Sequence, residues 1–101
     1  MKLDVQWTEN AVRALRDLAA WVDRLRPGQG TDLAQSILDR VDKLGPVPWS
    51  APGHPSAPDT RIRRLVYGKY IVIYRVRESA GVLQVLTVRH HRQRPVEPSD
   101  L

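Results

Sequence analysis

The sequence predicts an α+β fold: a helical hairpin packed on a small antiparallel sheet, in the order β-α-α-β-β-β. Three observations predict it. Apolar residues recur every three or four positions between Thr8 and Leu44, which is the period of helices. A dense proline segment interrupts the chain after Gly45. Three short apolar runs separated by turn residues follow from Ile62.

Leu3, Val5 and Trp7 alternate with polar neighbours and read as a first strand. Thr8 offers an N-cap oxygen, and Glu9 sits where the helix dipole is positive. Val12, Leu15, Leu18, Ala19, Val22 and Leu25 form one apolar stripe of the first helix. Pro27, Gly28 and Gly30 end it. Thr31 is expected to cap a second helix, with Ala34, Ile37, Leu38, Val41 and Leu44 as its stripe and Gly45-Pro46 as its stop. Residues 45–60 hold five of the chain's eight prolines, too many for helix or sheet. This stretch reads as an irregular loop anchored to the core by Trp49. Ile62 to Tyr67 and Tyr70 to Arg77 read as a hairpin turning at Gly68-Lys69. After a turn at Glu78 to Gly81, Val82 to Arg89 forms the last strand, with Leu83 and Val85 facing opposite to Val82, Leu86 and Val88. One domain over residues 1–93 and a flexible tail over 94–101 are expected.

The composition narrows the function classes. Sixteen Lys and Arg against 11 Asp and Glu give +5, which favours anionic partners. With no Cys there is neither a disulfide framework nor a thiolate nucleophile. No apolar run approaches the roughly 18 residues of a membrane span, and the start lacks the apolar stretch of a signal peptide. A cytoplasmic protein that does not engage membranes is expected. The three His lack metal-ligand spacing, and the glycines after the first helix are not in a phosphate-loop context, so neither metal nor organic cofactor is expected.

The chain resembles the RelE/ParE superfamily of type II toxin–antitoxin toxins. The stretch from Trp7 to Val22 is similar to that family's opening strand and helix. Arg63-Arg64-Leu65-Val66, Gly68, Tyr70 and Tyr74-Arg75-Val76 resemble its arginine-leucine strand and its return strand. Val85 to Arg92 resembles its closing strand. The resemblance implies a small basic toxin neutralised by a ParD-like or RelB-like antitoxin in a hetero-oligomer. It also implies one of two targets, DNA gyrase or the ribosome with its mRNA. RelE-like members cut mRNA with dispersed basic residues. Here Ile71 stands where that branch has a strand arginine, and no tyrosine follows Tyr74. The ParE-like, gyrase-directed reading is therefore favoured.

If the chain is a nuclease, Arg61, Arg63, His90, His91 and Arg92 are the candidates for charge stabilisation and proton transfer. The bland alternative for His90 is a packed strand end bonded to a backbone carbonyl. Arg61, Arg63, Arg64, Arg75 and Arg77 are the candidates for partner binding through carboxylates or phosphates. Arg63 and Arg64 must point to opposite faces, while Arg75 and Arg77 share a face with Ile71 and Ile73. Trp21, slightly off its helix stripe, is a partner anchor if exposed. Its alternative is packing against the proline-rich loop.

Overall fold

The computed structural model describes residues 2–54, 57 and 59–93; the expected tail lies outside them. Its elements are β1 (Asp4–Trp7), α1 (Glu9–Leu25), α2 (Gln29–Asp42), β2 (Ile62–Tyr67), β3 (Tyr70–Arg77), a single 3-10 turn (Glu78–Ala80) and β4 (Val82–His90). The sheet order is β1-β4-β3-β2. β2, β3 and β4 form an antiparallel meander, but β1 pairs with β4 in parallel. The sheet is thus mixed rather than wholly antiparallel. The helical hairpin returns the chain to the far edge, and the meander then brings β4 back beside β1 in the same direction.

Thr8 caps α1 as expected, its Oγ1 accepting from the Ala11 N–H at 3.0 Å. The second cap differs from expectation. Gly28 (φ 86°), not Thr31, is the N-cap of α2, and Gly30 lies inside the helix. A Cβ at Gly30 would collide with the Ala19 carbonyl, so this glycine lets the two helices touch. Its N–H donates to Asp23 Oδ1 at 2.6 Å, which stands in for the missing side-chain cap. α2 stops at Asp42, and Leu44 is buried beyond the helix rather than within it.

Both helices lie on one face of the sheet. Leu15, Leu18, Ile37 and Val41 meet Leu65, Val72, Tyr74, Val76, Leu83, Val85 and Val88 there. Tyr74 is fully buried, and its hydroxyl donates to the Pro48 carbonyl at 2.7 Å. That bond ties the proline-rich loop to the core, and burial pushes the hydroxyl pKa up.

The far face is built differently. Ile62, Ile71, Ile73 and Leu86 form a second buried cluster with Ala57 packed against it. A β-bulge divides the two faces of β4. Tyr74 pairs with Val85 but Ile73 pairs with Thr87, so Leu86 is the extra residue. The bulge resets the alternation. Val88 joins Leu83 and Val85 under the helices instead of facing away with Leu86. His90 follows Val88 onto the helix side, against Trp21 of α1.

Candidate functional site

The basic residues fall into three places. The first is the far face of the sheet. Arg64 pairs across from Ile73, Arg75 from Ile62, and Arg89 from Ile71. Their side chains therefore rise beside the buried isoleucines. The Nε atoms of Arg75 and Arg89 are buried and lack a hydrogen-bond partner among the described residues. Such burial means that the stems pack down on the apolar floor. Arg89 is turned toward the chain end, its Nη1 donating to the Gln93 carbonyl at 2.8 Å. Burial first, and Arg64 nearby second, lower its pKa. Arg77 continues the same row and is exposed.

The second place is the start of β2. Arg61 is exposed but paired with Asp59, through two hydrogen bonds of 2.9 Å from Nε and Nη2. This pairing, with a further bond from the Arg61 N–H, holds the Asp59 carboxyl down to about 2. Arg63 points to the helix side. Its guanidinium lies 4.7 Å over the Trp49 ring and donates to the Ala51 carbonyl at 3.1 Å. Trp49 is 41% exposed, so it does not anchor the loop in the core. It is held from outside instead, by Arg63 and by an indole N–H bond of 2.9 Å to Glu78.

The third place is an open cavity of about 1000 Å3 between α1, the β2–β3 turn and the end of β4. Asp17 and Trp21 line it from α1, Lys69 from the turn, and His90, His91 and Arg92 from the chain after β4. His90 is its hub. The ring meets Trp21 and Tyr70 edge-on, at centroid distances of 5.6 and 5.5 Å, and His91 at 4.6 Å. Trp21 thus packs on His90. The His90 Nδ1 accepts from the Arg92 backbone N–H at 3.1 Å. This corrects the expected bond to a carbonyl and leaves Nε2 as the N–H of the neutral ring. Burial, then His91, Arg92 and Lys69, lower the His90 pKa.

The nuclease candidates are not brought together. Arg61 sits opposite Val76, whose N–H bonds its carbonyl at 2.9 Å, while His90 pairs with Tyr70. These positions are six residues apart on β3, about 20 Å at the ~3.4 Å rise of an antiparallel strand. Only His90, His91 and Arg92 share a location, and Lys69 joins them there, a residue that sequence reasoning missed. The His91 N–H bond of 2.7 Å to the Lys69 carbonyl fixes that neighbourhood. Among the described residues no group of His, Asp and Glu could hold a metal ion, and no helix is long and apolar enough to cross a membrane.

The two-helix layer on a four-stranded mixed sheet matches the RelE/ParE-like fold. Residues 5–95 match the model of the family described as ParE toxin of type II toxin-antitoxin system, parDE. The chain belongs to that family. No curated protein sequence matches it. Solved structures share its fold at low identity. The chromosomal ParDE toxin–antitoxin system of P. aeruginosa superposes with a TM-score of 0.74 at 21% identity, covering 88% of this chain and 96% of that one. The RelBE2 toxin–antitoxin complex of Mycobacterium tuberculosis gives 0.68 at 18%, covering 89% and 92%. A free RelE toxin from E. coli, with two arginines changed to alanine, gives 0.67 at 17%, covering 91% and 86%.

Proposed function

We propose that this toxin acts by binding, as an inhibitor of DNA gyrase in the cytoplasm, and that a cognate antitoxin of the ParD type neutralises it. One observation carries the choice against RNA cleavage. Arg61 and His90, two of the groups a nuclease would use, lie about 20 Å apart along β3, Arg61 already paired with Asp59 at one end and His90 packed against Trp21 at the other. In-line attack by a 2′-hydroxyl needs its proton acceptor, proton donor and charge stabiliser around one phosphate. Ile71, at the position where RelE-like toxins carry an arginine, supports the same reading. The far-face residues Arg64, Arg75 and Arg77 supply guanidinium groups for carboxylates or phosphates on a partner.

Purified toxin added to gyrase, ATP and relaxed plasmid is expected to accumulate linear DNA, and cognate antitoxin is expected to abolish it. Supercoiling at the uninhibited rate, together with codon-phased cuts of mRNA in a translation mixture, would overturn the proposal. One observation favours that second reading: His90, His91, Arg92 and Lys69 do meet at one cavity. A His90→Gln, His91→Gln double variant separates the two. Gyrase poisoning should survive it, whereas an endonuclease that depends on these rings should not.

A further inference from the structure

The far face of the sheet gathers positive charge and carries no acid of its own. β2, β3 and β4 contain neither Asp nor Glu. Arg64, Arg75 and Arg89 are half-buried beside the isoleucine floor, and Arg77 is exposed further along the same row. Arg64 also repels Arg89 across that floor. Asp59 feels the charge of Arg75, but Arg61 holds both of its oxygens. Among the described residues, no ion pair neutralises the four arginines.

The chain after β4 is delivered to this face. The Gln93 N–H donates to the His90 carbonyl at 3.0 Å, closing a turn that reverses the chain. The His90 N–H donates to Gln93 Oε1 at 2.7 Å, and Arg89 Nη1 donates to the Gln93 carbonyl at 2.8 Å. Arg89 thereby ties residue 93 to the far face. A chain leaving this turn in the reversed direction runs from Arg89 toward the levels of Arg75 and Arg77, which pair with Gln84 and Val82.

Residues 94–101 read RPVEPSDL. Pro95 and Pro98 oppose a sheet ladder and favour the polyproline conformation, with three residues per turn and ~3.1 Å per residue. In it Glu97 and Asp100 share one edge, about 9 Å apart. Glu97 then lies about 12 Å and Asp100 about 22 Å beyond Gln93. The matching arginines stand at similar spans. From Ile71, the partner of Arg89, Arg75 is about 14 Å and Arg77 about 20 Å along β3.

We infer that residues 94–101 fold back over the far face as an internal acidic cover, with Glu97 at Arg75 and Arg64 and Asp100 at Arg77. The cover occupies guanidinium groups that a partner's carboxylates or phosphates would otherwise take, so a partner must displace it. Ion pairs at such a surface are weak and screened by salt, which lets a stronger anion win. The inference concerns the chain alone and does not depend on which target it poisons.

The test uses the whole chain. It has no Cys, so Ser99→Cys carries a single nitroxide label, and NMR reads which groups the label broadens. At low salt the Nε–H signals of Arg75 and Arg77 should broaden strongly, and those of Arg13 and Arg16 on α1 should not. Glu97→Gln with Asp100→Asn should abolish that contrast, as should 1 M salt, where the Debye length is about 3 Å. Without the label, the double variant should bind tripolyphosphate roughly threefold more tightly, as expected on opening a cover closed about two-thirds of the time. Asp32→Asn with Asp39→Asn on α2 changes the net charge equally and should give less than half of that gain. Broadening equal on both faces, confined to Trp21 and Lys69, or surviving the double substitution would overturn the inference. Tripolyphosphate affinity that is unchanged, or that rises as much in the α2 control, would overturn it too.

Discussion

The two faces of the sheet are equally dry at their centres, but for different reasons. Under the helices, Leu83, Val72 and Val85 are fully buried by Leu15, Leu18, Ile37 and Val41. On the far face Ile73 is 1% exposed, with no helix among the described residues over it. Its cover comes from the stems of neighbouring arginines and from Ala57 of the proline-rich segment. A far-face arginine is therefore both a roof for the core and a cation on display. Asking whether it is structural or functional sets up a false choice, since the methylenes and the guanidinium act separately.

The largest test of that comparison removes equivalent floors. Leu83→Ala and Ile73→Ala should each lose about 2–5 kcal/mol in urea unfolding, as large-to-small changes at buried sites do. If the Ile73 variant lost only a few tenths, the arginine roof would be permeable and the far face would not be core. The helix side has its own weak point. Gly30→Ala should cost about 2–3 kcal/mol by forcing α1 and α2 apart, read as a lower melting temperature. An unchanged melting temperature would mean that the helices separate freely.

A smaller effect sharpens the division of labour within one side chain. Arg64→Ala should cost about 1 kcal/mol by uncovering the isoleucines, whereas Arg64→Met should restore most of that stability while weakening partner binding as much as the alanine does. Equal stability losses in both variants would show that the charge, not the stem, holds the face. The smallest effect concerns His90. Its pKa lies below the usual histidine value in the folded protein, so the unfolded chain takes up the proton more readily. Stability should fall as pH drops through about 6.5, and His90→Gln should flatten that part of the denaturation profile. A steeper profile in the variant would contradict the packing of His90 against Trp21 and Tyr70.

Much of this arrangement was legible in the sequence because it follows local periodicity. The bounds of β2 and β3, the Thr8 cap and the shared face of Ile71, Ile73, Arg75 and Arg77 come directly from alternation and capping chemistry. Three features did not. The bulge at Leu86 shifts Val88 and His90 to the helix side, and alternation cannot register an extra residue. The adjacent apolar pair Val85-Leu86 was the one visible hint. Gly30 looks like a helix breaker in isolation, and only contact with Ala19 shows why a helix tolerates it. Trp49 reads as an apolar anchor, yet its partners Arg63 and Glu78 lie 14 and 29 residues away across the proline-rich segment. The cavity likewise depends on long-range approach, joining Asp17 and Trp21 to Lys69 and His90.

On the proposed function, the molecule acts by binding and not by cutting RNA. The most direct measurement is made in cells, with the toxin expressed without its antitoxin and two signals read early. Double-strand breaks with induction of the DNA-damage response, while translated mRNAs stay intact, are the predicted result. Codon-phased mRNA cuts without DNA breaks would contradict it and make His90, His91, Arg92 and Lys69 the centre of an endonuclease.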